Sequence, residues 1–371
     1  MKNPVILFAD GYELMDSLNK HLSNSGIKTF CAKENISIET IKDLNSQGNT
    51  VIGYLYNNIY LKQELGSIPL VTVGTSQIPG FYDIEPTSLQ NLIDYVEPYY
   101  FDYEDMLKNF ATCAIEASKA ILEIYKKDFS VSYKEDSSPV TEADRASNSI
   151  ISNYLMEKYP EYAILAEETY DKKTIEERVL NPYCLIIDPL DGTKEFIKKN
   201  DEFSINIALA YKKRAVCGMI YIPVFNKVYY AARGHGAYKS TSKEFFDNIF
   251  DDKRRISVSG RTERLICMHS KSSFENETKK LLADNMHKIE KLVSKGSAIK
   301  MCTIAEGKAD VYYRYGHTME WDTAAGQIII EEAGGIMRQL NMNQTELLYN
   351  RYDSCNRNGF YVINNINSRL V

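Results

Sequence analysis

Two aspartates stand three residues apart at the end of an apolar run in the middle of the chain. Residues 184–187 lead directly into Asp188, and Asp191 follows after a proline and a leucine. A buried strand that ends here delivers both carboxylates into one turn, which Pro189 stiffens and in which Gly192 lets the backbone approach a ligand. A helix that starts at Gly192 would add backbone N–H groups for a phosphate. Because Mg²⁺ prefers carboxylate and phosphate oxygens, the segment predicts a magnesium and phosphate site, with an Asp-capped turn as the alternative.

Three more acidic positions lie where a predicted strand ends or a predicted helix begins. Glu167 follows the apolar run 163–166, Asp144 lies near the start of a helix, and Asp322 follows Trp321 at the start of another helix. Each also has an ordinary interpretation. Glu167 fits a solvated charge, Asp144 a carboxylate at the positive end of a helix, and Asp322 an N-cap. Their joint occurrence in this order is much harder to dismiss than any one of them.

The elements that must position these side chains follow from the hydrophobic pattern. An amphipathic helix is predicted at 105–126 and a second helix at 142–158, with Thr141 as its N-cap. Further helices are predicted at 275–287, 299–306 and 323–332. Strands are predicted at 184–187, 204–210, 215–221, 227–232, 265–268 and 311–314.

Residues 1–98 have the pattern of a small α/β unit. Apolar runs at 5–8, 27–31, 51–55 and 70–73 alternate with helical segments, which implies a parallel sheet. Asp10-Gly11 after the first run fits an ordinary strand-to-helix turn, since the further aspartates that a phosphoaspartate receiver or a haloacid-dehalogenase nucleophile needs are missing. We predict a small flavodoxin-like domain at 1–98, to which the sequence assigns no function, and a second domain at 99–371.

Composition excludes several classes of protein. The net charge of −6 over 371 residues is a poor match to the cationic surface that binds nucleic acid. The seven cysteines contain no CxxC pair, which argues against a disulfide framework and a zinc site and favours the cytoplasm. Asp10 interrupts the N-terminal apolar run, and no run of about 18 apolar residues occurs, so we predict neither a signal peptide nor a membrane span.

The motifs, taken in order, resemble the Mg²⁺-dependent, lithium-sensitive phosphatases of the inositol monophosphatase superfamily. Within it, the resemblance is to the 3′(2′),5′-bisphosphate nucleotidases, because the tripeptide KEF after DPLDGT is typical of them. The resemblance covers about residues 104–364, and residues 1–98 lie outside it. It is carried by SPVTEAD at 138–144, LAEE at 165–168, DPLDGTKEF at 188–196, GSAIK at 296–300 and WDTAAG at 321–326.

The resemblance implies a layered αβαβα sandwich and a site for two or three Mg²⁺ ions. The implied metal ligands are the carboxylates of Glu167, Asp188, Asp191 and Asp322 and the carbonyl oxygen of Leu190. Glu167 would thereby also take part in catalysis. Metal ions that act together on a phosphate lie about 3.5–4 Å apart, which demands clustered carboxylates.

The resemblance also implies how the reacting phosphate is handled. Thr193, oriented by Asp144, would help to activate the attacking water. Backbone groups of Gly192 and Thr193 would contact the phosphate that is cleaved.

The residues that select the substrate follow from the same resemblance. Ser297, Lys300 and Arg314 stand where related nucleotidases contact the nucleotide and its second phosphate, and Arg and Lys are the usual partners of phosphate. Family members often carry a histidine where this chain has Ser273, which leaves the base and ribose contacts open.

The activity implied is removal of the 3′-phosphate from a nucleoside 3′,5′-bisphosphate, with adenosine 3′,5′-bisphosphate giving AMP and phosphate. The alternative is an inositol- or sugar-phosphate phosphatase with the same metal site, against which KEF and the pair of Lys300 and Arg314 argue. A regulatory fusion that acts through residues 1–98 has little mechanistic support. The expected partner is a small nucleotide, without a nucleic acid polymer or membrane. The base of the nucleotide and the oligomeric state, monomer or homodimer, stay open.

Overall fold

The chain divides into two compact units, residues 1–101 with 342–345 and residues 102–341 with 346–371. The computed structural model describes residues 97–370 except 134–138, 171–174 and 272–273. In the preceding part of the chain it describes residues 5–8, 13–24, 29–32, 50–54, 70–73 and the positions 39, 43, 90, 93 and 94. The predicted domains 1–98 and 99–371 stay a prediction, since compactness is not independent folding.

The first unit contains a parallel sheet with strand order β2-β1-β3-β4. Its strands are β1 (Val5–Phe8), β2 (Thr29–Ala32), β3 (Thr50–Tyr54) and β4 (Leu70–Val73), and helix α1 (Glu13–Asn24) follows β1. The helix buries Leu18 and Leu22, as its spacing predicted. The parallel sheet is therefore confirmed, while the flavodoxin-like assignment stays a prediction. Asp10-Gly11 and most residues of the helical segments after the second and the fourth apolar run lie outside the described residues.

The second unit is built around two sheets. The larger sheet has the order β13-β12-β11-β10-β9-β8-β7, in which β8 is parallel to β7 and antiparallel to β9. Its strands are β7 (Ala163–Ala166), β8 (Tyr183–Asp191), β9 (Ser204–Tyr211), β10 (Arg214–Ile222), β11 (Lys227–Ala232), β12 (Gly236–Ser240) and β13 (Arg255–Ile256). In the parallel pairing of β7 with β8, Ala166 lies opposite Ile187, so Glu167 directly after β7 comes close to Asp188 within β8.

The smaller sheet has the order β15-β14-β16-β20-β18. Its strands are β14 (Leu265–Ser270), β15 (Ile289–Lys295), β16 (Val311–Arg314), β18 (Ile336–Gln339) and β20 (Phe360–Ile363). Two short antiparallel pairs join β5 (Val131–Tyr133) to β6 (Pro139–Thr141) and β17 (Thr318–Met319) to β19 (Cys355–Asn356).

Helices fill the layers around and between these sheets. They are α2 (Glu104–Tyr125), α3 (Glu142–Lys158), α4 (Ile175–Leu180), α5 (Thr193–Ile197), α6 (Asn276–Asp284), α7 (Ile299–Ala305) and α8 (Glu320–Glu332). Single 3₁₀ turns occur at Glu97–Tyr100, Glu167–Thr169, Asp252–Arg254, Met286–Lys288 and Ile366–Ser368. Among the described helices, none is both long and apolar enough to cross a bilayer.

One hydrophobic core joins both sheets through α7 and α8. Ile328 and Ile329 of α8 share it with Ile186 of the larger sheet and Val362 of the smaller one. On the outer side of the smaller sheet, Leu282 of α6 belongs to a separate core, while α2 and α3 pack on the far side of the larger sheet. This order of layers confirms the predicted αβαβα sandwich.

Candidate active site

One cleft of ≈ 780 Å³ in the second unit brings together nearly all the predicted site residues. Asp144 does not line the cleft and lies directly behind Thr193, which does. The predicted residues that line it are Glu167, Asp188, Leu190, Asp191, Gly192, Thr193, Ser297, Lys300, Arg314 and Asp322. Their roles stay predictions, but their proximity is a property of the fold.

Three aspartates form the acidic end of the cleft. Asp188, Asp191 and Asp322 each bring one carboxylate oxygen to within 4.8 Å of the other two. Strand β8 supplies the first two, and the first turn of α8 supplies the third. Glu167 lines the same cleft because Ala166 pairs with Ile187 in the sheet, so the next residue of each strand reaches the same edge.

The carboxylates at this end raise one another's pKa values. Burial raises the pKa of Asp188 well above its usual value, and the charges of Glu167, Asp191 and Asp322 raise it further. Burial also raises the pKa of Asp322 to about 7, with smaller contributions from Asp191 and Glu167. Clustered buried carboxylates are costly without a compensating cation, and Mg²⁺ takes ligands of this type. The donor set therefore fits a divalent metal ion, with the carbonyl oxygen of Leu190 at the same turn.

The carboxylate of Asp191 is fixed by donors on one oxygen. Asp191 Oδ2 accepts hydrogen bonds from Ser297 Oγ at 2.7 Å, from the Ala298 N–H at 2.6 Å and from Asn206 Nδ2 at 3.3 Å. Ser297 adopts a left-handed backbone conformation, with φ of 55°, to make this contact, and its hydroxyl lies 2.7 Å from Ser204 Oγ. Ser297 thus positions a predicted metal ligand, and its predicted contact with the nucleotide stays a prediction.

Thr193 and Asp144 form a hydrogen-bonded pair beside the carboxylates. Thr193 Oγ1 donates to Asp144 Oδ1 at 3.0 Å, while Asp144 Oδ2 accepts from the N–H and the hydroxyl of Thr141 at 2.7 and 2.6 Å. Burial raises the pKa of Asp144, and these hydrogen bonds act in the opposite direction. A threonine hydroxyl that donates its only hydrogen to a carboxylate offers its lone pairs to other donors, such as a water. The predicted N-cap at Thr141 is confirmed.

Gly192 allows the backbone to turn tightly at the wall of the cleft. Its φ of 93° is left-handed, and a Cβ atom there would lie 3.0 Å from the carbonyl oxygen of Glu202. Only glycine adopts this conformation without strain, and the chain turns here from β8 into α5. The predicted order of strand, turn and helix is confirmed, but the predicted strand end at residue 187 was wrong. Strand β8 continues to Asp191 with an irregular register between Asp188 and Asp191, so the turn is confined to Gly192.

Two mostly buried cations, Lys300 and Arg314, also line the cleft, and we call them its cationic end. Lys300 Nζ donates to the carbonyl oxygen of Ser297 at 2.6 Å and lies 5.3 Å from the ring centroid of Tyr312. Burial lowers the pKa of Lys300, and the charge of Asp191 opposes this shift. Arg314 ends β16, and its Nη1 lies 2.7 Å from Glu275 Oε1. The cleft therefore carries clustered acids together with two cations, and the charges of Asp191 and Asp322 favour the charged form of Lys300.

Several residues that matter to the cleft were missed in the sequence. Tyr170 and Trp321 line it with ring centroids 5.8 Å apart, and His317 lines it on the loop after β16. Behind the cleft, Glu202 accepts the Gly296 N–H at 2.9 Å and thereby holds the segment before Ser297. Tyrosines are too frequent here, 27 in all, for one to stand out, and Glu202 has no motif around it. Only Trp321, which adjoins Asp322, had a local signal.

The fold and the acidic cluster in the cleft are those of a family of phosphatases. The profile of the inositol monophosphatase family matches residues 102–364. The chain belongs to this family. The match begins at residue 102, so the predicted N-terminal extension lies outside it.

The chain is similar to bacterial enzymes over most of their length. The 3′(2′),5′-bisphosphate nucleotidase CysQ of Buchnera aphidicola is 38% identical over 243 residues, 63% of this chain and 84% of the relative. CysQ of Escherichia coli K12 is 37% identical over 231 residues, 62% of this chain and 88% of the relative. The crystal structure of CysQ from Bacteroides thetaiotaomicron, a bacterial member of the inositol monophosphatase family, superposes with a TM-score of 0.59 at 36% identity, covering 71% of this chain and 97% of that one.

Proposed function

We propose that this chain is a Mg²⁺-dependent phosphomonoesterase that removes the 3′-phosphate of a nucleoside 3′,5′-bisphosphate, with adenosine 3′,5′-bisphosphate giving AMP and phosphate. The observation that carries the proposal is the pairing, in one cleft, of an acidic metal-type cluster with two further cations, Lys300 and Arg314. A substrate with one phosphate needs only the acidic end. The similarity to enzymes named as 3′(2′),5′-bisphosphate nucleotidases supports the same assignment.

At the acidic end, two or three Mg²⁺ ions would be held by Glu167, Asp188, Asp191, Asp322 and the carbonyl of Leu190. Mg²⁺ bound there would supply charge screening of the phosphate, a more acidic water and stabilisation of the leaving alkoxide. The hydrogen bonds from Ser297 and Ala298 keep the Asp191 carboxylate in one orientation without rearrangement during the reaction.

The chain's own groups would orient the attacking water. Asp144 Oδ1 is the nearer of two acceptors for the Thr193 hydroxyl, at 3.0 Å against 3.3 Å for the Leu190 carbonyl oxygen. With the hydrogen directed to Asp144, the Thr193 oxygen would accept a hydrogen bond from the water and turn the water's lone pair toward phosphorus. Because Asp144 is held in turn by Thr141, the threonine hydroxyl cannot rotate freely. The backbone N–H groups of Gly192 and Thr193 would contact the oxygens of the reacting phosphate.

At the cationic end, Lys300 and Arg314 would bind the 5′-phosphate, which is not cleaved. Each is largely buried, so a phosphate reaching them meets a charge that bulk water screens little. A guanidinium and an ammonium together match the two negative charges of a phosphate monoester.

A panel of substrates tests the proposal. Phosphate release is measured with malachite green for adenosine and cytidine 3′,5′-bisphosphates, inositol 1-phosphate and fructose 1,6-bisphosphate, each with Mg²⁺. We expect a nucleoside bisphosphate to have the highest kcat/KM. Faster turnover of inositol 1-phosphate or of fructose 1,6-bisphosphate would instead support the inositol- or sugar-phosphate alternative.

A further inference from the structure

Arg314 is paired with a glutamate that lies outside the cleft. Arg314 Nη1 lies 2.7 Å from Glu275 Oε1, and both side chains are mostly buried, with 16% and 18% of their surface exposed. Arg314 lines the cleft, whereas Glu275 is not among its lining residues. The carboxylate therefore approaches the guanidinium from behind the cleft wall, where it does not meet the substrate.

The position of Glu275 is set by its own neighbours. Its second oxygen, Oε2, accepts a hydrogen bond from Thr278 Oγ1 at 3.0 Å in the first turn of α6. A Cβ atom on Gly316 would lie 2.6 Å from Glu275 Oε1 and 3.4 Å from Arg314 Nη2. The absence of a side chain at Gly316 thus leaves the space in which carboxylate and guanidinium meet.

The contact between Glu275 and Arg314 is electrostatic. Glu275 Oε1 is buried and accepts no aligned hydrogen bond, although it lies within ion-pair distance of the guanidinium. Its negative charge therefore weakens the field that Arg314 projects into the cleft. The surroundings of Lys300 differ, because its ammonium meets the Ser297 carbonyl oxygen and the Tyr312 ring.

In the proposed reaction, a negative charge beside Arg314 would favour release of the product. The 5′-phosphate is present in the substrate and again in the product, so binding it more tightly stabilises both states equally. Uniform binding of this kind does not raise kcat, and it slows the departure of the product. A carboxylate next to Arg314 lowers its affinity for the 5′-phosphate.

We propose that Glu275 is a specificity-tuning counter-ion of Arg314, which weakens the binding of the phosphate that remains on the product and so speeds product release. The inference rests on the proposed function. Glu275 acts through Arg314 and touches neither substrate nor product. Its removal should tighten the binding of substrate and product together, which loss of a merely structural glutamate would not do.

The test compares the full chain with Glu275→Gln, which keeps the shape and removes the charge. Binding of AMP and of adenosine is measured by calorimetry with Mg²⁺ present, and the KM for adenosine 3′,5′-bisphosphate is measured alongside. We expect the Kd for AMP and the KM to fall together by about 5- to 50-fold, with adenosine unchanged. This is less than the roughly 10–150-fold of a whole charge-assisted contact, because the change strengthens an existing contact. Glu277→Gln, an exposed neighbour on the same helix, is the matched control and should change neither value.

Two further variants show whether the effect passes through Arg314. In an Arg314→Ala background, Glu275→Gln should no longer alter AMP binding. Gly316→Ala, which displaces Glu275 Oε1 without changing any charge, should tighten AMP binding in the same direction and serves if Glu275→Gln does not fold.

The outcomes separate the inference from the proposed function. AMP binding that weakens or stays within about twofold in Glu275→Gln overturns the inference, as does an undiminished effect in the Arg314→Ala background. A wild-type chain that neither hydrolyses the bisphosphate nor binds AMP better than adenosine overturns the proposed function itself.

Discussion

The acidic end and the cationic end of the cleft differ in how their charges are compensated. Around Asp188 the nearest charges are other carboxylates, and they raise its pKa beyond the effect of burial. Around Arg314 a carboxylate is already in place, since Glu275 lies 2.7 Å away. The acidic end therefore depends on a bound cation, whereas at the cationic end the charge of Arg314 is already balanced by Glu275. Loss of the first should abolish the chemistry, and loss of the second should change which ester is preferred.

The largest effect is expected from neutralising the acidic end. Asp188→Asn, Asp191→Asn and Asp322→Asn should each lower kcat/KM on the order of 10³-fold or more, because each removes a ligand charge that supports metal binding. The protein should stay folded, since the amide keeps the shape and relieves repulsion. Phosphate release and thermal unfolding check both points. Asp252→Asn, an exposed residue of the Asp252–Arg254 turn, is the control, and wild-type activity in any of the three variants would refute the metal assignment.

Loss of the Thr193 hydroxyl should have the next largest effect. Thr193→Val keeps the shape of the side chain and removes the group that we expect to orient the water, so kcat should fall by about 10²-fold with little change in KM. Asp144→Asn should have a similar effect, because an amide no longer fixes the direction of the hydroxyl hydrogen. Steady-state kinetics at saturating Mg²⁺ measure kcat and KM separately for each variant. A kcat within a few-fold of the wild type in both variants would remove this pair from the mechanism.

Changes at the cationic end should be smaller and selective. Lys300→Ala and Arg314→Ala should each lower kcat/KM for a nucleoside 3′,5′-bisphosphate by roughly 10–150-fold, the loss of one charge-assisted phosphate contact. Turnover of a nucleoside 3′-monophosphate should barely change, since it lacks the second phosphate. The ratio of the two kcat/KM values is the measurement. An equal fall with both substrates would mean that these residues act on the reacting phosphate or on the fold.

The pH dependence of stability should distinguish the acidic end without any substrate. The folded-state pKa of Asp322 is raised to about 7, so its contribution to stability is present below the unfolded pKa and is lost as pH rises toward and past 7. Mg²⁺ binding must displace a proton at pH 6 but not at pH 8. At about 100-fold excess of Mg²⁺ over its Kd at pH 8, Tm should rise by several degrees at that pH. The same Mg²⁺ concentration should raise Tm by less at pH 6. Scanning fluorimetry with Mg²⁺ or EDTA at both pH values checks this, and a larger shift at pH 6 would contradict it.

The smallest effect is expected from removing residues 1–98. A chain that begins near Tyr99 should fold and keep kcat/KM within about twofold, because the family match begins at residue 102 and every predicted site residue follows it. Expression of both chains side by side and the same kinetic assay provide the comparison. An insoluble or inactive shortened chain would show that residues 1–98 are needed for the second unit.

Local patterns predicted well those features that depend on neighbours in sequence. Helix α3 begins and ends where its spacing and the Thr141 N-cap predicted, because both signals lie within one helix. Helix α8 begins at Glu320, three residues before the predicted start, because the Asp322 carboxylate accepts the Met319 N–H and extends the first turn. Strand β15 was missed because it lies at a sheet edge and carries exposed charges, so it shows no apolar run.

Site residues that are close in sequence were also easier to predict than contacts between distant segments. The carboxylates of β8 were predictable because strand, turn and helix are contiguous in sequence, and they adopt that order in the fold. The contacts of Ser297 with Asp191 and of Glu275 with Arg314 could not be predicted. The first joins segments of the two sheets, and the second joins the start of α6 to the end of β16. Long-range pairs of this kind leave no periodic or spacing signal.

The most direct test of the central claim is the identity of the product formed from adenosine 3′,5′-bisphosphate by the full chain. The reaction is followed by chromatography of the nucleotide, once with Mg²⁺ and once with excess EDTA. The account predicts AMP and inorganic phosphate with Mg²⁺ and no product with EDTA. Adenosine 3′-phosphate as the product, or undiminished hydrolysis in EDTA, would contradict it.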